Sequence, residues 1–296
     1  MKHTIPMPGN SKEILENDVL IPEKREAALA CIHAYLDGKD TGEIKTVVPE
    51  EDIISVEAEH LFNAKVKQPG FSLIQGGYFD GENFYEGFVQ WKNGGECAVI
   101  GVFAKDGTYV RESEELDICH CNTITPIGGG KLLIALCDSR AQFQSYKILD
   151  KTTLKILDEG TLPFQFMSAD YCAETGLYAC TGIGYGNECW ILDENMNVIL
   201  DRQIVFQSGS APQNFYPTED RIYSPRYIYD EATGEFSNYI HVYSWDLRLK
   251  CIYSFGTEGS KQELESISVI DGTAYLICGN HNTQQLVVYK CTLPEN

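Results

Sequence analysis

Cations are scarce in this sequence: 23 Lys plus Arg stand against 43 Asp plus Glu, a formal net charge of -20. Counterion release rewards clustered cations, so DNA, RNA and anionic membrane are excluded as expected partners. Long apolar runs are missing as well. No stretch approaches the roughly 20 apolar residues of a membrane helix, and the first residues, MKHTIPMPGNSKEILEN, lack the apolar core of a secretory leader. A cytoplasmic location is the expectation. No G-x-S-x-G elbow occurs, and Gly-Ile-Gly-Tyr-Gly (182–186) lies within a β-type stretch instead of opening a helix, which argues against a dinucleotide site.

Cysteine is not scarce, but pairing is excluded as a complete account, because eleven is an odd number. Cys137, Cys180 and Cys278 end apolar runs, where a thiol packs as a small hydrophobe. Free buried thiols in a reducing compartment are the expectation. Asp117-Ile118-Cys119-His120-Cys121-Asn122 invites a metal reading. On a strand, however, His120 would face away from Cys119 and Cys121, and no second Cys/His pair has zinc-type spacing.

What the sequence does contain is a repeat. GGYFDGENFYEGF (76–88), TITPIGGGKLLIAL (123–136), SADYCAETGLYACTG (168–182), QNFYPTEDRIYSPRY (213–227) and ESISVIDGTAYLICG (265–279) each read as strand, tight turn and a more apolar strand. With Gly81, Gly130, Gly176, Asp220 and Gly272 as turn markers, the unit recurs roughly every 45 to 50 residues, the length of a four-stranded propeller blade. A second hairpin follows most of the motifs, as in CAVIGVFAKDGTYVRES, which turns at Lys105-Asp106-Gly107. The expectation is an all-β, five-bladed β-propeller over residues 71–296, forming one structural domain with an extension over 1–70.

The last unit has room for only one strand after YLICG, QQLVVYKCTL (284–293). An open ring would expose sheet edges. The extension is therefore expected to supply the closing strand, from 42–48 or 51–57. A helix is expected over 22–37: Pro22 suits its first turn, Glu23 and Glu26 suit the positive end, Ala28, Cys31, Ile32 and Tyr35 form one face, and Gly38 ends it.

In such a ring the first strand of each blade lines the central channel. The polar residues near its start are the site candidates: Gln75, His120, Asn122, Gln165, Ser168, Asp170, Gln213, Asn214, Glu263 and Glu265. Gln75, His120, Asn122, Gln213, Asn214, Glu263 and Glu265 are read as ligand-binding. Converging carboxylates would raise one another's pKa toward that of a general acid, or hold Ca²⁺ or a similar divalent cation with Asn122 and Asn214. No cofactor is required by this reading, although a divalent cation is compatible with it. Tyr78, Tyr85, Tyr216, Tyr223, Tyr227 and Trp91 add aromatic surface suited to sugar rings.

Gln75-Gly76, Asp80-Gly81 and Tyr85-Glu86, with Glu263-Leu264-Glu265 before Asp271-Gly272, resemble plant-type glutaminyl cyclases. That resemblance implies a catalytic role for Glu86; Gly87-Phe88-Val89 departs from the family's Ser-Thr-Gly. The same opening, with His120, Asn122 and the Glu-x-Glu of the fifth unit, resembles five-bladed receptor-binding propellers of Gram-positive bacteria and their phages, implying a glycopolymer ligand. Glu265, Asn122 and Asp170 also resemble the cation ligands of six-bladed, lactonase-like propellers. Three functions stay open. The leading one is binding of a small polar molecule or glycan, a saccharide or polyol, at the channel mouth. The second is a metal-assisted hydrolase, lactonase or cyclase using Glu86, Asp170 or Glu265, and the third is a protein-interaction scaffold.

Overall fold

In the computed structural model the described residues are 20–38, 52–92, 94–137, 143–183, 187–257 and 261–294. Helix α1 (Pro22–Gly38) and strands β1 (Ile53–Val56) and β2 (Glu59–Ala64) precede the repeat. Blade one is β3 (Leu73–Phe79), β4 (Asn83–Lys92), β5 (Gly95–Ala104) and β6 (Tyr109–Glu112). Blade two is β7 (Thr123–Pro126), β8 (Lys131–Ala135), β9 (Ser145–Asp150) and β10 (Ile156–Thr161). Blade three is β11 (Phe166–Cys172), β12 (Leu177–Gly182), β13 (Glu188–Leu192) and β14 (Val198–Gln203). In blade four the inner strand is split into β15 (Ala211–Pro212) and β16 (Tyr216–Pro217), followed by β17 (Ile222–Asp230), β18 (Glu235–Tyr243) and β19 (Leu249–Phe255). Blade five holds β20 (Gln262–Ile270), β21 (Thr273–Asn280) and β22 (Gln285–Thr292).

These are five separate antiparallel meanders, and the inner strands meet in a ring with β20 beside β3. The chain is a five-bladed β-propeller. The four glycine turn markers all take positive φ: Gly81 99°, Gly130 68°, Gly176 66° and Gly272 74°. Five hydrophobic clusters correspond to the five blade junctions, because each blade buries both faces against its neighbours. Cys180 and Cys278 lie in these clusters, and all eleven cysteines are free thiols.

The ring is closed by the extension, but with a different segment from those expected. Strand β2 pairs antiparallel with β22, setting His60 against Tyr289 and Phe62 against Val288. The 51–57 candidate instead contributes β1, which runs parallel to β19 as an extra outer strand of blade four. The physical reason is burial: paired with β22, the strand sets Phe62 and Ala64 into the blade five to blade one cluster. The 42–48 candidate lies outside the described residues. Helix α1 buries Ala28 and Ile32 on the blade three to blade four cluster, with Leu29, Cys31 and Tyr35 partly buried. Arg25 fixes it by donating to the carbonyls of Thr175 (2.9 Å) and Gly176 (3.2 Å). Among the described helices none is long and apolar enough to cross a membrane.

Candidate functional site

Three inner strands carry a β-bulge close to the start of the strand. The register slips between Ile74 and Gly77 in β3, between Phe166 and Ser168 in β11, and between Leu264 and Ser266 in β20. A bulge re-aims a side chain out of the ordinary alternation. In β20 the unpaired residue is Glu265, and its carboxyl comes to the same place as that of Glu263. Blade four reaches a similar result by breaking its inner strand at Gln213, Asn214 and Phe215, between Pro212 and Tyr216.

Most of the candidate positions are buried along the axis: Gln75, Asn122, Ser168, Asp170, Gln213, Asn214, Glu263 and Glu265. Gln213 donates from Nε2 to Glu263 Oε1 at 2.9 Å, and Asn122 Nδ2 donates to the Gln213 carbonyl at 3.4 Å. These bonds tie blades two, four and five together at one end of the channel. Asp170 accepts from the Phe215 amide at 3.1 Å, linking blades three and four. Gln165 stands exposed just before β11.

His120 is placed elsewhere. Its Nδ1 lies 2.9 Å and 3.0 Å from the two carboxylate oxygens of Glu96, and its side chain is half-buried between blades one and two. The Cys-His-Cys segment is not the strand assumed from sequence. Cys119 and Cys121 take left-handed backbone angles, 51° and 52°, in the turn before β7. Burial pushes the Cys121 thiol up, so it stays protonated, and its Sγ lies against Gly87.

Glu86 comes from β4, the second strand of its blade, and reaches the axis because β3 opposite it carries no side chain. Gly77 pairs with Glu86, and a Cβ on Gly77 would lie 1.9 Å from Glu86 Oε2. A Cβ on Gly76 would lie 2.5 Å from the backbone of Asn122. Glu86 has no exposed surface and Glu265 is 1% exposed, yet neither oxygen of either carboxyl has a hydrogen-bond partner. Burial holds the Glu86 pKa well above the usual carboxylate range. The Glu265 pKa is raised by burial first, then by the charges of Glu263 and Glu86. Burial likewise raises that of Asp170. The side-chain oxygens of Gln75 and Asn214 are also buried without a partner.

Two cavities open from opposite ends of the inner strands. One, of about 300 Å³, lies at the strand ends and is lined by Asp80, Lys151, Asp170, Glu174, Asn214 and Tyr216. The other, of about 480 Å³, lies between blades four and five and is lined by Tyr227, Tyr229, Phe236, Lys261, Glu263 and His281. In this second cleft His281 Nε2 is 2.8 Å from Glu263 Oε2. Phe236 stacks on the imidazole with centroids 4.8 Å apart, and Tyr229 lies 4.9 Å from Phe236. The cleft therefore joins aromatic faces to the buried carboxyl and carboxamide group through Glu263.

His281, Tyr229, Phe236 and Lys261 were not singled out from sequence. A signal for His281 existed. With the hairpin turned at Asp271 and Gly272, counting back along β21 sets position 281 opposite 261 or 262, and the His281 amide does donate to the Lys261 carbonyl at 3.0 Å. Arg226 and His241 were missed too. Arg226 is fully buried and held by Ser210, while burial drives the His241 pKa well below its usual value.

No family model and no curated protein sequence matches the chain. Among solved structures it is similar to the WD40 domain of Neurospora crassa Pan2, at 9% identity over 84% of this chain and 98% of that one, TM-score 0.41. It is also similar to the β-propeller domain of Myceliophteria thermophila Cps50 (Swd1), at 11% identity over 80% and 100%, TM-score 0.44. A third is Kuenenia stuttgartiensis hydrazine synthase, at 11% identity over 76% and 77%, TM-score 0.42. Likenesses at this level speak to neither activity nor partner.

Proposed function

We propose that the protein binds a small polyhydroxylated molecule, a saccharide or polyol, at the channel mouth between blades four and five. The observation that carries this reading is the cleft of about 480 Å³ in which Tyr227, Tyr229 and Phe236 stand beside Glu263, His281 and Asn282. Pockets for small ligands are mostly apolar with a few placed polar groups, and this volume falls in their usual range. Aromatic faces cover the C–H surface of a sugar ring, while a carboxylate and an imidazole take its hydroxyls. Gln213 and Asn122, hydrogen-bonded behind Glu263, hold that carboxylate in place.

The test is a screen of saccharides and polyols by saturation-transfer NMR, followed by titration of Tyr229→Ala and Glu263→Gln. Each substitution is expected to weaken binding by about tenfold or more, the loss of one stacked face or one charge-assisted hydrogen bond. Unchanged affinity in both variants, or in Asn122→Ala and Glu265→Ala, sinks the reading. So does a screen in which no small ligand binds while a protein partner does.

A further inference from the structure

We propose that Glu263, Glu265 and His281 form a site for a divalent transition-metal ion, Zn²⁺ or Mn²⁺, at the floor of the cleft between blades four and five. One donor atom from each residue lies within 4.8 Å of the other two. When such atoms share a tetrahedral Zn²⁺ they stand about 3.4 Å apart, so small side-chain rotations close the set. The backbone brings them together: the bulge at Glu265 turns its carboxyl toward that of Glu263, and the β20–β21 pairing carries His281 alongside.

The independent observation is Glu265 itself. It is 1% exposed, neither of its carboxylate oxygens has a hydrogen-bond partner, and one of them lies within 4.8 Å of the Glu263 and His281 donor atoms. A buried acid left in that state beside a second acid is costly, and a divalent charge offsets both the desolvation and the repulsion. Glu265 Oε1 lies 3.2 Å from where a Cβ on Gly279 would stand, so the glycine leaves room on that side.

The donor set selects among cations. Ca²⁺ takes six to eight oxygens, whereas one imidazole nitrogen with two carboxylates suits Zn²⁺ or Mn²⁺. Neighbouring groups orient two of the donors. Gln213 holds Glu263 Oε1 at 2.9 Å and leaves Oε2 on the His281 side, and Phe236 stacks on the imidazole and fixes its plane. Three protein donors leave coordination positions facing the cleft. The site stands on these donors whatever else the cleft holds.

The full chain, stripped with a chelator, is titrated with Mn²⁺ alone and read by electron paramagnetic resonance and calorimetry. Mn²⁺ is the probe because eleven free thiols would take Zn²⁺ elsewhere. One Mn²⁺ per chain is expected, with a melting temperature that rises with Mn²⁺ concentration. His281→Ala and Glu265→Gln should each weaken binding by about tenfold or more, while His60→Ala, an exposed histidine on β2, leaves it unchanged. His281 is itself exposed, so its loss does not threaten the fold. No binding at about millimolar Mn²⁺, equal affinity in His281→Ala, or tighter binding of Ca²⁺ than of Mn²⁺ overturns the site. Saccharide binding by metal-free protein would leave the ligand reading standing when the cation site fails, and Mn²⁺ binding with no saccharide would do the reverse.

Discussion

Glu86 sits where a carboxylate is least welcome, fully buried and without a donor for either oxygen. Its pKa in the folded protein is raised above the ordinary 4.5 by burial. The folded state therefore keeps a proton that the unfolded chain releases. The stability this group contributes is complete below about pH 4.5 and is lost as pH rises toward the folded value. Each pH unit in that window costs at most about 1.4 kcal/mol. Glu86→Gln removes the titration and keeps the shape. Urea midpoints should show the variant gaining on the native chain as pH rises above about 4.5. A difference that stays constant or shrinks with rising pH would show Glu86 to be ionised and stabilised in the fold. In the sequence Glu86 stands out only by its position after Tyr85; that it reaches the axis depends on Gly77, and a burial of this kind is set by packing across two strands.

Strand β3 shows how an element positions the site by what it omits. Gly76 and Gly77 are both too close to neighbours for a side chain, but the neighbours differ: the Asn122 and Thr123 backbone in one case, the Glu86 side chain in the other. Backbone cannot yield, whereas a side chain can be removed. Gly77→Ala should be strongly destabilising in the native chain and substantially rescued by Glu86→Ala. Gly76→Ala, with a cost of about 2 kcal/mol or more, should add to Glu86→Ala with little coupling. Double-mutant cycles from urea unfolding measure both terms, and equal coupling would remove Glu86 from Gly77. The hairpins were legible in the sequence because Asp-Gly turns and alternating apolar residues follow from local backbone physics, as at Lys105-Asp106-Gly107 and Asp271-Gly272. The bulges at Glu265 and Met167 were not, since a slip of register answers to the neighbouring blades and leaves no local mark. Cys119 and Cys121 misled for a related reason: left-handed backbone at two cysteines has no compositional signature.

At the scale of the ring, closure depends on a strand far away in sequence. The shortage of strands in the last blade was legible by counting. Which segment fills it was not, because both 51–57 and 59–64 alternate well enough to pair, and the choice falls to side chains. Phe62 is buried at the blade five to blade one junction, edge-on to Phe84 at 5.3 Å, whereas Ile54 lies partly buried outside β19 in a blade already complete without it. Phe62→Ala should therefore cost about 3–5 kcal/mol and Ile54→Ala about 1 kcal/mol. Weakening β2 also uncovers β22, whose Leu286, Val287, Val288 and Tyr289 are buried. An apolar strand edge freed in this way recruits other chains. Light scattering on warming should accordingly rise earlier for Phe62→Ala than for Ile54→Ala when the two are compared at equal fractions unfolded. If Ile54→Ala proved the more costly or the more aggregation-prone, β1 would be the strand that holds the ring shut, and β2 only an ornament on a blade that three strands can sustain.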